Sequence, residues 1–334
     1  MRQGLVRPAR GAAILAALLT VALVAGLSAA AFWQQWRSIE VEIAQRQRLQ
    51  AQWLITGAMD WARAQVGADG LRSPAMDHGG EAWAQPVRAL SLGEFLDPQA
   101  APDARTGTAS QAPDEARLSL DIVDAQGRLN VLNLLDGQVL SPQWLAVFKR
   151  LFEALGLPQA ELQLLAEQMR RANLGTVGGA ADSSPGAASA PLIPTRQADL
   201  AWLGLAPATV QALTPHVSLL PGRLPVNLNT AGGPVLQAVL GLGPAEVQQL
   251  MARRQAQPFA SLAAAGLKAP NEQMQAVNSH FFEVQVQLQL GQGAPLTLVE
   301  HALLQRDGRD VRTLWQRRER PQPSRSGPAA QTLP

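Results

Sequence analysis

The sequence predicts an α+β fold: a long N-terminal helix packed on an antiparallel sheet, with a large α-helical domain inserted between the strands. Three observations carry this. Residues 12–31 hold only two side chains with polar atoms, Thr20 and Ser28. Phe282, Val284, Val286, Leu288 and Leu290 alternate with Glu283, Gln285, Gln287 and Gln289, the period of a half-buried strand. Between an earlier alternating stretch, residues 117–123, and this one, the apolar spacing is mostly three and four.

The N-terminal helix comes first. Twenty residues at about 1.5 Å of rise each span roughly 30 Å, the thickness of bilayer hydrocarbon. Arg2, Arg7 and Arg10 precede the run and the first acid is Glu40, a bias that keeps the N-terminus cytoplasmic. Ser28-Ala29-Ala30-Ala31 offers the small residues of a secretory cleavage site, but the run exceeds the roughly 7–15 residues of a signal core. No Gly or Pro falls between Gly26 and Gly57, and Trp36, Ile39, Ile43, Gln50, Trp53, Leu54 and Trp61 keep helical spacing. The helix is therefore predicted over residues 12–66, with Trp33 and Trp36 at the membrane interface and Trp53 and Trp61 packing on the sheet.

Residues 67–85 read as loop, 85–95 as a short element, and 98–113 as a flexible excursion. Leu118, Leu120 and Ile122 then share one face of a strand. In the insertion, Ser141-Pro142 starts a helix with Ser as cap and a buried stripe of Trp144, Val147, Phe148, Leu151, Phe152 and Leu155. Residues 159–172 form the next helix, 173–194 a Gly, Ala, Ser and Pro loop, and helices resume over 197–203 and 207–213. Asn229 or Thr230 is expected to cap the helix after Val226-Asn227-Leu228-Asn229-Thr230-Ala231, and Gly241 and Gly243 to permit a tight turn into a helix over 245–254. After the strand from Phe282, residues 291–293 turn the chain, 296–306 run back, Asp307-Gly308 makes a hairpin, and 310–316 complete a four-stranded sheet.

Composition narrows the chemistry. The chain has no cysteine, which excludes disulfides, thiol nucleophiles and Cys-based zinc sites. Its formal charge is only +2, with basic residues concentrated at the ends, so no general nucleic-acid surface is implied. His78, His216, His280 and His301 are isolated, and Glu161 with Glu167 and Asp97 with Asp103 are spaced so as to diverge on a helix. No catalytic residue and no small-molecule substrate are predicted.

A basic leader ending in Gly11, then an apolar helix whose outer half is amphipathic, resembles the leader of type IV pilins and pseudopilins. The resemblance implies prepilin peptidase cleavage between Gly11 and Ala12. The family's usual fifth mature residue is glutamate, and Ala16 stands there; an ionised carboxylate in hydrocarbon costs several kcal/mol unless a neighbour pairs it, so this subunit has given up one neighbour contact. Lack of that glutamate is typical of the K-type minor pseudopilins of the type II secretion system. Three further segments resemble that family: Asp124, Gly127 and Asn130, followed by Asn133; Asn227, Asn229 and Thr230 within residues 225–231; and Asn278-Ser279-His280-Phe281-Phe282.

The resemblance implies a leader (1–11), a transmembrane and amphipathic helix (12–66), the first part of a pilin-like body (67–124), an inserted domain of two sterile-alpha-motif-like subdomains (125–224, with loop 173–194, and 225–280), C-terminal strands (281–318) and a disordered tail (319–334). It implies a non-enzymatic minor pseudopilin at the tip of the periplasmic pseudopilus, needed for pseudopilus assembly and protein export across the outer membrane. The protein would be single-pass in the inner membrane, with its bulk periplasmic. Its partners would be the I- and J-type minor pseudopilins, the major pseudopilin, the inner-membrane secretion platform and prepilin peptidase. The family's acidic calcium-binding stretch is missing: residues 170–197 contain one acid, Asp182, so no metal or cofactor is expected. The helix, glycine turn, helix pattern at Gly241 and Gly243 also resembles helix-hairpin-helix modules, and leaves the alternative of a membrane-anchored DNA-binding protein of competence type.

Overall fold

A computed structural model of the chain describes residues 10–91, 116–177, 191–267, 269–290 and 296–319. The chain forms two compact units, Met1–Thr56 and Gly57–Pro334. One helix, α1 (Arg10–Arg72), begins in the first and ends in the second. It runs six residues past the predicted end at Val66, because Gly67 and Gly70 are tolerated where the helix needs close approach. A Cβ on Gly70 would lie 2.5 Å from the Gly308 carbonyl oxygen, and one on Gly67 would lie 3.0 Å from that of Arg309.

In the N-terminal unit the apolar side chains from Ile14 to Leu27 are exposed, and the helix is long and apolar enough to cross a membrane. Thr20 donates its hydroxyl to the Ala17 carbonyl at 2.8 Å, so its polar atom is satisfied without water. Trp33 and Trp36 meet edge to face, 6.3 Å apart. Trp53 is 75% exposed, which corrects its predicted packing on the sheet. In the second unit the buried apolar side chains of α1 are Ala58, Met59, Ala62 and Val66, and Gly67 and Gly70 are buried with them. Trp53 precedes Ala62 by nine residues, about two and a half turns, and so belongs to the opposite face. Small side chains rather than tryptophans define the inward stripe.

The sheet of the second unit has five strands: β1 (Val87–Ser91), β2 (Ala116–Asp124), β3 (Phe281–Leu290), β4 (Leu296–Asp307) and β5 (Asp310–Glu319). All neighbours are antiparallel, and spatial order follows chain order. The predicted sheet had four strands. The additional β1 is too short for alternation to reveal it. Phe282, Val284, Val286, Leu288 and Leu290 of β3 are buried with Leu118, Leu120 and Ile122 of β2. Asp124 pairs with Phe282 and Ala116 with Leu290, so the inserted domain leaves and re-enters at adjacent ends of two paired strands.

The insertion contains α2 (Pro142–Ala154), α3 (Gln159–Val177), a 3-10 helix (Gln197–Leu203), α4 (Pro207–Leu213), α5 (Gly233–Leu240) and α6 (Pro244–Ala256). Helix α3 continues through Asn173 into what had been predicted as loop; Asp182 lies outside the described residues, as do Asp97, Asp103 and residues 320–334. Five residues of the predicted α2 stripe are buried, with Trp144, Phe148 and Phe152 among the largest fully enclosed side chains, whereas Leu155 lies just past the helix end and is half-buried. Ser141 occupies the cap position without a capping bond from its hydroxyl. Trp144, Phe148, Leu151, Val235, Leu236 and Val239 belong to one apolar core that runs through both helical halves. Two short parallel ladders, Leu129–Asn130 with Val217–Ser218 and Val226–Asn227 with Gln275–Ala276, join distant segments of the insertion.

Candidate functional site

The place where the chain leaves β2 and returns to β3 gathers the polar motif residues. Asp124, the last residue of β2, is buried, and its carboxylate accepts four hydrogen bonds. Gln126 N–H donates to Oδ1 at 2.8 Å, while Asn227 Nδ2 at 2.9 Å, Ser279 Oγ at 2.7 Å and Thr230 Oγ1 at 2.5 Å donate to Oδ2. Burial pushes the Asp124 carboxyl above its ordinary range, opposed by those donors. Three segments far apart in the chain thus meet on one carboxylate.

Beside it stands Asp77, fully buried. Arg306 of β4 donates from Nη2 to both of its oxygens, at 2.6 and 2.7 Å, and from Nη1 to Asp69 near the end of α1, at 2.9 Å. Ser279 N–H donates to Asp77 Oδ2 at 2.7 Å, and Asn227 Nδ2 donates to the Asp77 carbonyl at 3.0 Å. The guanidinium also lies 4.8 Å over the Phe282 ring. Two carboxylates therefore share one fixed cation. Burial raises the carboxyl pKa values of Asp69 and Asp77, and Arg306 opposes the rise in both.

The remaining motif residues bind backbone. Asn130 Nδ2 donates to the carbonyls of Leu220 (3.1 Å) and Gly222 (2.8 Å), and its Oδ1 accepts from Leu220 N–H (3.0 Å). Asn133 pairs both ends of its amide with the Leu224 backbone, and Asn229 does the same with Phe259. Each behaves as a portable strand edge, holding a loop where no sheet is available. Asn229 and Thr230 do not cap the following helix, as the sequence had suggested; Gly232 occupies that cap. Their side chains are drawn instead to buried groups that would otherwise lack partners. Gly127 is required by close approach, since a Cβ there would lie 2.8 Å from Thr230 Oγ1 and 3.2 Å from its carbonyl.

Sequence reasoning missed Asp69, Asp77, Gln126 and Arg306. Gln126 accepts from His280 N–H at 2.6 Å and donates to the Pro225 carbonyl at 3.3 Å. Arg306 and Asp77 are 229 residues apart, and no local pattern links them. Oxygens of Asp69, Asp77 and Glu81 lie within 4.8 Å of one another. Arg306 already pairs with the first two, and Glu81 accepts from Trp83 Nε1 at 2.8 Å and His78 N–H at 3.0 Å.

Gly241 and Gly243 form a separate turn. Gly241 closes α5 at φ +65°, a conformation suited to glycine, and Glu246 accepts from Gly243 N–H at 2.9 Å at the start of α6. A carboxylate thus occupies the helix terminus where a phosphate would dock. Arg253 donates to the Ala264 and Ala265 carbonyls, and Arg254 to those of Leu228 and Ala231. Gly11, Ala12 and Ala16 lie in the first turns of α1, in the N-terminal unit.

Two family models match the chain, both described as type II secretion system protein K: a first-domain model over residues 127–222 and a second model over 226–286. The type II secretion system protein K of Pseudomonas aeruginosa is 28% identical over 308 residues, covering 85% of this chain and 86% of that protein. The protein of the same name from Klebsiella pneumoniae is 29% identical over 276 residues, covering 76% and 78%. Among solved structures, a chain of the GspK-GspI-GspJ complex from the enterotoxigenic Escherichia coli type 2 secretion system matches 83% of this chain and 99% of its own length. Its TM-score is 0.61 at 19% identity, a likeness of fold.

Proposed function

The chain belongs to the protein K family of the type II secretion system, and from that premise we propose that this minor pseudopilin sits at the tip of the periplasmic pseudopilus, where it is needed for assembly and for export across the outer membrane. It is a structural, membrane-anchored component of the secretion apparatus. In this reading α1 crosses the inner membrane with its N-terminus cytoplasmic. Prepilin peptidase cuts between Gly11 and Ala12, and Ala16 leaves the terminal amine of a neighbouring subunit without its usual partner. I- and J-type minor pseudopilins join it, as the complex named above does in its own organism. The major pseudopilin and the inner-membrane platform complete the partners.

The observation that carries this reading is the buried junction around Asp124. Segments 124–133, 225–231 and 278–282 converge there, so the inserted domain is tied to the sheet by hydrogen bonds as well as by two chain crossings. A head fastened in this way cannot swing aside to let an identical subunit stack beside it, which suits a subunit that ends a filament. The Glu246 carboxylate at the start of α6 and the carbonyl-bound Arg253 and Arg254 weigh against the DNA-binding alternative.

Mass analysis of the membrane-extracted protein tests the reading. With prepilin peptidase present the chain should begin at Ala12, and without it residues 1–11 should remain. A chain found free in the medium after cleavage near Ala31 refutes the anchor, and salt-sensitive retention of duplex DNA refutes the filament role. We further propose that the chain lacks a family-type calcium site, since residues 170–197 contain a single acid and calcium takes about six to eight oxygen ligands.

A further inference from the structure

A cavity of about 670 Å³ opens between the loop at His78, the end of β2 and the C-terminal part of α6. Its polar anchor is Arg254, which is half-buried. Nη1 donates to the carbonyls of Leu228 and Ala231, each at 2.7 Å, an arrangement that fixes the guanidinium without neutralising it. Among the described residues no carboxylate pairs with Arg254, and no hydrogen bond engages its Nε or Nη2. Arg306 by contrast has two carboxylates and Arg196 has Asp199. The Asp124 carboxylate in the same wall is turned toward Gln126, Asn227, Thr230 and Ser279. Burial lowers the Arg254 pKa.

The rest of the lining is mixed. Val123, 45% exposed, and Pro258 supply an apolar wall. His78 Nδ1 accepts from Gly80 N–H at 3.1 Å, and its Nε2 lies 3.8 Å from Glu81 Oε1. A desolvated guanidinium with a free edge is suited to a carboxylate, which it can bind through two parallel hydrogen bonds. The volume falls within the roughly 300–1,000 Å³ usual for ligand sites.

We propose that this cleft docks a short segment of a partner protein in which an acidic side chain stands next to an apolar one, the acid meeting Arg254 and the apolar group meeting Val123. The inference does not depend on the tip placement, and its test needs no secretion.

The test uses the full chain in detergent micelles and fluorescein-labelled Gly-Glu-Val-Leu-Gly, with Gly-Gln-Val-Leu-Gly as the neutral probe, read by fluorescence anisotropy. The Glu peptide should bind at least about tenfold more tightly, as expected when a charged partner replaces a neutral one. Arg254→Gln should abolish the difference. Because Arg254 also holds two carbonyls, Val123→Glu provides the second variant; at an exposed position it retains the fold, checked by thermal unfolding, and sets a competing carboxylate in the cleft wall. Equal binding of the two peptides, no binding at millimolar peptide, or binding unaffected by Val123→Glu overturns the proposal. Free glutamate competing as well as the peptide also overturns it, since the site would then take small carboxylates rather than a protein segment.

Discussion

Replacing Arg306 by methionine keeps most of the side-chain length and removes the only cation paired with Asp77 and Asp69 among the described residues. Asp77 is fully buried and Arg306 only 5% exposed, so water does not reach the vacated carboxylate without distortion. Removing one partner of a buried ion pair costs about 3–5 kcal/mol. For a unit of this size that corresponds to a fall in Tm of roughly 10 °C, at about 2–4 °C per kcal/mol. The loss should depend on pH in a definite direction. Asp69, Asp77 and Asp124 all have raised carboxyl pKa values in the folded protein, chiefly from burial. A raised folded value means that the group's stabilising contribution is complete below the unfolded value of about 3.9 and is lost as pH rises through the folded value. Arg306 opposes the rise at Asp69 and Asp77, so Arg306→Met should lift both further and deepen the loss toward neutrality. Denaturant unfolding in detergent at pH 7 and near pH 4.5 reads the effect. Adding Asp77→Asn to Arg306→Met should restore part of the stability at pH 7 by removing the buried charge. A loss below about 1 kcal/mol at pH 7, or no recovery in the double variant, would refute the account of the junction as an ionic lock.

Gly127→Ala should destabilise by about 1–3 kcal/mol through overpacking against the Thr230 carbonyl, whereas Gly241→Ala, whose Cβ meets little but Arg150, should lose only the roughly 1–2 kcal/mol of a left-handed residue. Thermal unfolding of both variants compares them, and Gly241→Asn should recover part of the second loss. Asn229→Ala leaves the buried Phe259 N–H and carbonyl without their side-chain partner and should cost about 1–3 kcal/mol, seen as faster hydrogen exchange at Phe259. Calorimetric titration of the full chain with calcium should show no micromolar binding.

Much of the architecture was legible because it rests on local periodicity. The β3 alternation and the α2 stripe repeat a burial decision every two or about 3.6 residues, and the apolar run of α1 is continuous over a membrane's thickness, so each pattern survives without knowledge of partners. The four-strand expectation failed at Val87–Ser91, where five residues are too few to show a period. The assignment of Trp53 to the sheet failed because helical spacing identifies a face but not which face turns inward. That choice was made by the small residues Ala58 and Ala62, which let the helix approach.

The polar motif residues were visible as types and spacing, but their partners were not. Asn229 was expected to cap the following helix, the usual local use of a short amide, while Asn130, Asn133 and Asn227 were singled out only by the family resemblance. In the folded protein all four hold loops or a carboxylate far away in the chain, and Asn130 and Asn227 also accept locally from the Leu132 and Asn229 N–H groups.

By itself the sequence determined that the chain has a membrane-length apolar helix, a body of alternating strands and a helical insertion without cysteine chemistry, since these follow from each segment's own side chains. Only the tertiary structure decided that Asp77, Asp124 and Arg306 share one buried site and that, among the described residues, no carboxylate pairs with Arg254. A charge removed from water is stabilised by whichever donors the fold brings within about 3 Å, and those come from segments whose order along the chain carries no record of that meeting.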